Sequence, residues 1–205
     1  DLGRSGLLSA EASEETMLLD SEGRQVSDVM TPFVVTVESG CPLSEAAAQM
    51  IEHQVHRVFV LSEGDIIGVL STRDIMAAVE EVRVELPVLQ FMSSPVVTIR
   101  ASEPVSLAVE RLEEAEVTGL IVVDESDWPV GVFGQEEALD AGHILRSTPV
   151  EKVMDPAVLT LPDHAAIHNV ARQALAMGAR RVAVMSKFEL VGIMTGIDFA
   201  RAVAL

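Results

Sequence analysis

Two sets of side chains in this sequence combine a basic pair, a hydroxyl and a carboxylate at matched spacing. His56-Arg57 is followed by Ser71 and Asp74, and Arg180-Arg181 by Thr195 and Asp198. Arg57 and Arg181 each stand 11 residues before a glycine, Gly68 or Gly192. The glycines open the stretches Gly68-Val69-Leu70-Ser71-Thr72-Arg73-Asp74 and Gly192-Ile193-Met194-Thr195-Gly196-Ile197-Asp198. Arginine offers planar, paired donors that suit phosphate. A hydroxyl and a carboxylate three residues apart before an apolar helix sit at its N-terminus, where unpaired N–H groups also favour an anion. The chemistry indicated is anion binding. The competing reading is a capping box, worth about 1 kcal/mol, beside a solvated charge at a strand end. The basic pair recurs in register with the hydroxyl, and a cap alone does not require that.

The elements that carry these groups come from a repeat. Met30, Met92 and Met154 stand 62 residues apart, and Gly68, Gly131 and Gly192 recur 63 and then 61 apart. A period of this length is one supersecondary unit that cannot bury its apolar face alone. Each copy begins with an alternating β-branched stretch: Val34–Val37, Val96–Ile99 and Val158–Leu161. A one-faced helix follows, apolar at Leu43, Ala46, Ala47, Met50 and Ile51 in copy one. Copy two has Val105, Ala108, Val109 and Leu112, and copy three Ile167, Val170, Ala171, Ala174 and Leu175. Two short strands and a closing helix complete each copy, with the last helix starting near Thr72, Gln135 and Gly196. The fold class is therefore α+β, built of tandem β-α-β-β-α units packed sheet to sheet. The boundaries read as a leader over residues 1–26, partly ordered around Met17-Leu18-Leu19, then copies over 27–89, 90–146 and 147–205.

Copy two departs from the other two. It reads Gly131-Val132-Phe133-Gly134-Gln135-Glu136-Glu137, with Thr118-Gly119 where the basic pair belongs. Gly can still occupy an N-cap and Glu the third helical position. The helix start survives while the ligand groups are gone, so copy two is expected to be structural or to bind only weakly.

The sequence resembles the cystathionine-β-synthase (CBS) domain, which pairs into a Bateman module. The residues that carry the resemblance are Val29-Met30-Thr31-Pro32 with Gly68–Asp74, and Val153-Met154-Asp155-Pro156 with Gly192–Asp198. It spans about residues 27–205. It implies a non-enzymatic sensor of adenosine-containing ligands: AMP, ADP, ATP or S-adenosylmethionine. By that resemblance, Arg57 and Arg181 hold phosphate with His56 and Arg180 in support. Asp74 and Asp198 take the ribose, and Ser71 and Thr195 the ribose or phosphate. Backbone near Thr31-Pro32 and Asp155-Pro156 meets the base. Binding would bias how the units sit together and so regulate a partner.

Composition bounds the rest. The net charge of -18 disfavours nucleic acid backbones and anionic lipids as general partners, although copy three alone is near neutral at +1. Apolar runs are shorter than the roughly 20 residues of a membrane span. The single cysteine, Cys41, fits a reducing compartment, and a cytoplasmic location is expected. His164 and His168 stand four apart but lack a third metal ligand, and a polar helix face is the better reading; no metal is expected. His53 and His143 are isolated. Units that pair in odd number leave one sheet open. Copies one and two are expected to pair, leaving copy three to meet copy three of a second chain in a homodimer. The alternatives are a scaffold or dimerisation module without a ligand, or the cytosolic regulatory part of a larger enzyme or transporter.

Overall fold

The polar turn Ser62-Glu63-Gly64-Asp65 shows how locally the fold is written. Glu63 and Gly64 take positive φ of 53° and 89°, as a tight hairpin turn requires. The turn joins β2 (Arg57–Ser62) to β3 (Asp65–Ser71) as an antiparallel pair. A computed structural model describes residues 25–141 and 145–205; most of the leader, including Met17-Leu18-Leu19, and His143 lie outside the described residues. A short helix α1 (Val26–Val29) precedes copy one.

Each copy runs strand, helix, hairpin, helix. Copy one is β1 (Thr36–Glu38), α2 (Leu43–Glu52), β2, β3 and α3 (Thr72–Val82). Copy two is β4 (Thr98–Arg100), α4 (Val105–Glu114), β5 (Gly119–Val123), β6 (Pro129–Gly134) and α5 (Gln135–Asp140). Copy three is β7 (Leu159–Pro162), α6 (Ile167–Met177), β8 (Arg181–Ser186), β9 (Glu189–Thr195) and α7 (Gly196–Val203). The mixed α+β class read from the sequence is the observed one, with three sheets ordered β1-β2-β3, β4-β5-β6 and β7-β8-β9. The closing helices start at Thr72, Gln135 and Gly196, where their caps put them. The opening strands start later than their β-branched runs imply. Just before them, Val35 O still accepts from Phe59 N–H at 2.9 Å and Val97 O from Ile121 N–H at 3.3 Å, while further back Ser93 bridges Ile193 and Asp155 bridges Val132.

The chain divides into two compact units. One is built on Val96–Val158 and holds copy two. Its core contains Ile99, Val105, Ala108, Leu112, Leu120, Val122 and Phe133. The turn Val150–Lys152 packs there, with Val150 N–H bonded to Glu103 O at 2.9 Å and Glu151 N–H to Ala101 O at 3.0 Å.

The other unit joins Thr31–Pro95 to Leu159–Lys187 and Val191–Leu205, so it holds copies one and three. They share one core, which runs from Met50, Val58, Ile75 and Val79 to Ile167, Val170, Met194 and Phe199. Helix α3 touches α6 and α7, and α2 touches α7. This corrects the expected pairing: the copy that shares a core with copy one is copy three. The apolar stripe of α3 (Thr72, Ile75, Met76, Val79) is buried at i, i+3, i+4 and i+7, against helices of another copy as well as its own sheet. It also corrects which sheet lies open. In copy three, Val182–Met185 of β8 are all buried, whereas Ile66, Ile67 and Val69 of copy one's β3 are exposed.

Phe199 on α7 is 1% exposed within the shared core. Phe199→Ala is expected to destabilise this unit by ~3–5 kcal/mol. Denaturant unfolding checks it, and the loss should appear in probes placed on copy one as well as on copy three.

Candidate functional site

Helices α3 and α7 begin side by side. A Cβ built on Gly196 would lie 2.7 Å from Thr72 Cβ and closer still to Thr72 Oγ1. Only a residue without a side chain admits that approach. Thr72 is buried, and its N–H donates to His56 O at 3.0 Å. Arg57 pairs directly with Ser71 across β2 and β3, so the basic pair of copy one stands at the same sheet end as its helix start. In copy three, Arg181 opens β8 and Thr195 ends the neighbouring strand β9.

The basic residues of the two copies are close enough to act on one another. The His56 pKa lies below the ordinary histidine value of 6.5. Withdrawal of its ring from water is the first cause, and the charges of Arg181, Arg57 and Arg180 add to it. His56, Arg57, Arg180 and Arg181 thus form one electropositive group across copies one and three. The sequence pattern placed these residues in two separate sites.

The two carboxylates differ in what they have left to offer. Asp74 Oδ2 accepts from Ser71 N–H at 2.7 Å and from the Ser71 hydroxyl at 2.6 Å. The Ser71 hydroxyl bond is the largest cause that holds the Asp74 carboxyl below the ordinary carboxylate range. Asp74 is exposed. Asp198 is 1% exposed. Its Oδ2 accepts from Thr195 N–H at 2.6 Å and from the Thr195 hydroxyl at 2.8 Å. Its Oδ1 accepts from Ser93 Oγ at 2.9 Å and pairs with Arg201 Nη1. Both oxygens of Asp198 are therefore engaged inside the protein.

Ser93, Arg201, Thr72 and Gly196 were not among the residues picked out from the sequence. Arg201 had a local signal, since it lies three residues after Asp198 on one helix. Gly at the first position of α7 was a hint of close approach. Ser93 had none, being 105 residues from its partner. Thr31 and Pro32 are exposed, and among the described residues neither is hydrogen-bonded to Ser71 or Asp74. Asp155 and Pro156 belong to the copy-two unit, where Asp155 exchanges backbone bonds with Val132 at 2.8 and 2.9 Å. The residue found at the Asp198 carboxylate is Ser93.

Copy two keeps the helix start without the ligand groups: Gly134 N–H donates to Glu137 Oε2 at 2.7 Å. His168 Nδ1 meets Val84 O at 2.8 Å and so ties α6 to the segment after α3, while His164 pairs with Asp163 at 3.2 Å. Among the described residues, no group of three or more His, Cys, Asp or Glu side chains is arranged to hold a metal. No helix among them is long and apolar enough to cross a membrane.

The repeated β-α-β-β-α unit, with a hydroxyl-carboxylate cap closing each hairpin of copies one and three, defines a class of small tandem modules. The CBS domain model matches residues 26–81 and 88–143, and the chain belongs to the CBS-domain family. Residues 147–205 lie outside that match, though they fold with the same element order. A solved structure of a conserved protein from Pyrococcus horikoshii is similar with a TM-score of 0.74 at 23% identity, covering 85% of this chain and 81% of that one. MJ1225 from Methanocaldococcus jannaschii, likened to g-AMPK, has a TM-score of 0.72 at 15% identity, covering 87% and 70%. CBSX2 in complex with AMP is similar at a TM-score of 0.50 and 28% identity, covering 57% of this chain and 95% of that one. Among curated proteins, an L-aspartate semialdehyde sulfurtransferase of Methanosarcina acetivorans is 32% identical over 127 residues, 62% of this chain and 25% of that protein. The chain thus spans about a quarter of that relative's length.

The lowered pKa of His56 gives a sign for pH dependence. The unfolded chain takes up the proton first, near the ordinary value of 6.5. Stability present above that pH is lost as pH falls toward the folded value, and then levels off. His56→Gln is expected to flatten that part of the stability profile. Denaturation midpoints measured across the range check this, and an unchanged slope would show that folding does not lower the His56 pKa.

Proposed function

We propose that the chain is a non-catalytic sensor of adenosine nucleotides whose phosphates bind the basic group formed by His56, Arg57, Arg180 and Arg181. One observation carries this reading: four basic residues from two copies gather at the paired N-termini of α3 and α7 on a chain of net charge -18. Basic side chains so gathered favour an anion, and helix N-termini add to that preference. An AMP complex of a family relative supports the adenosine part of the reading.

Arg57 and Arg181 serve the phosphate, with His56 and Arg180 beside them. Asp74 is the carboxylate suited to the ribose, because it is exposed and its Oδ1 takes no part in the bonds from Ser71. Asp198 serves chiefly to lock α7, given its burial and its four bonds to Ser93, Thr195 and Arg201. Thr31, Pro32, Asp155 and Pro156 remain candidates for the base through their backbone. Phosphate-bearing AMP, ADP and ATP are preferred to S-adenosylmethionine, whose sulfonium would be repelled by the arginines. Occupancy would shift the arrangement of copies one and three and so regulate a cytoplasmic partner, as a subunit or as the regulatory part of a longer enzyme or transporter.

The saturated state of Asp198 favours a second reading for that half of the site, a scaffold in which the cap is purely structural. Calorimetry with AMP, ADP, ATP and S-adenosylmethionine separates the readings. Nucleotide binding is expected, weakened by roughly tenfold or more in Arg181→Ala, since a charge-assisted hydrogen bond is worth about 1.5–3 kcal/mol. No heat with any of the four would leave the scaffold.

A further inference from the structure

The two helix starts beside the basic group differ three residues after their carboxylates. Arg201 stands at that place on α7, and Ala77 at the corresponding place on α3. Residues three apart on a helix are neighbours. Arg201 Nη1 accordingly pairs with Asp198 Oδ1, and it also donates to Ser93 Oγ at 3.0 Å. Ser93 Oγ in turn donates to the same Oδ1 at 2.9 Å. Carboxylate, hydroxyl and guanidinium close a triangle over the oxygen that the Thr195 cap leaves unused. A carboxylate has about four acceptor positions, and the bonds from Thr195, Ser93 and Arg201 fill all of them. A sugar diol reaches Asp198 only by displacing a charged partner from a side chain that is 1% exposed.

Copy one has the same cap without the closure. Asp74 Oδ2 receives both bonds from Ser71, and among the described residues no other side chain bonds to this carboxylate. Ala77 is exposed and carries no donor. Arg73, next to Asp74 in sequence, sends its guanidinium to Leu175 O at 3.3 Å. Asp74 Oδ1 therefore keeps two acceptor positions, the number that a ribose diol needs. The basic residues, by contrast, are not divided into two sets. His56, Arg57, Arg180 and Arg181 form one group that both helix starts share.

We infer that the chain holds one nucleotide in one direction, its phosphates in the shared basic group and its ribose on Asp74, because Ser93 and Arg201 shut the copy-three carboxylate. This rests on the nucleotide reading above. It adds the number of ligands, their direction and the residues that determine both. Arg201 acts as an internal ligand, supplying to Asp198 the donors that a sugar would otherwise bring. Ala77 is the matching determinant in copy one, since a side chain that ends at Cβ leaves the carboxylate to the ligand. Neither residue needs to touch the nucleotide to set where it binds.

Calorimetry with ATP and with dideoxy-ATP, which lacks both ribose hydroxyls, tests this. The wild type is expected to bind one ATP per chain, roughly tenfold or more tighter than dideoxy-ATP, as the loss of hydrogen bonds to a charged acceptor implies. Ala77→Arg copies the closure onto copy one and leaves the bonds between Ser71 and Asp74 in place. It is expected to bind the two nucleotides alike. The charge it adds acts on both equally, so their ratio reports the diol alone. Asp74→Ala is expected to lose the preference as well, because no second carboxylate is open to take over. Two ATP per chain in the wild type, no preference for ATP there, or a preference that survives in either variant would overturn this inference and leave the nucleotide reading standing. A wild type that binds no ATP would overturn both.

Discussion

The close approach of Gly196 to Thr72 fixes where everything else in the basic site can be. Two helix N-termini are brought together because one of them begins with glycine, and the side chain it meets is a buried threonine. Thr72 in turn holds His56 through its N–H. The shared core of copies one and three, with Ile75 and Val79 on α3 and Phe199 on α7, keeps the contact from drifting apart. Hydrophobic burial thus supplies the energy, and a single missing Cβ supplies the geometry. The arginines converge as a consequence, each carried at the start of a strand that runs into this core.

The same local pattern, hydroxyl and carboxylate three residues apart, ends in two different states. In copy one the carboxylate is capped on one oxygen and faces water. In copy three it is enclosed by Ser93 and Arg201 and has become part of the framework. Burying a carboxylate is tolerable only when its lone pairs are met, and here they are. A motif shared by two copies need not mean a function shared by two copies. What separates them is the leading segment: Ser93 arrives on copy three from the segment before copy two, and among the described residues no side chain from another segment bonds to Asp74.

Much of the fold was legible because its signals are local. The caps at Ser71, Gly134 and Thr195 mark the helix starts, and the tight turn at Glu63-Gly64 marks its hairpin. The apolar face of α6 was read from spacing alone and is buried at Ile167, Val170, Ala171 and Ala174. The basic group was half legible: each pair could be named, but its meeting with the other depends on α3 packing against α6 and α7. Nothing in the spacing of Ile75, Met76 and Val79 distinguishes a stripe that faces its own sheet from one that also faces another copy. The bridge between Ser93 and Ile193 was hidden for a similar reason. Ser93 and Ile193 lie 100 residues apart in the sequence, and their link is made by backbone atoms that every residue carries.

Regulation by such a body needs a ligand to favour one arrangement of the copies over another. The joint between copies one and three is suited to that. It is a contact of helix ends and helix faces, with Arg73 reaching Leu175 O at 3.3 Å and His168 reaching Val84 O at 2.8 Å. In the proposed reading, an anion seated among His56, Arg57, Arg180 and Arg181 would bridge that joint, because the four residues come from both of its sides. The differential energy is then electrostatic: the closed joint gains the anion, and an opened one would lose half of the anion's partners. In the proposed reading the coupling would follow from the basic group being divided between copies, whereas a site built within one copy would give an anion no hold on the joint.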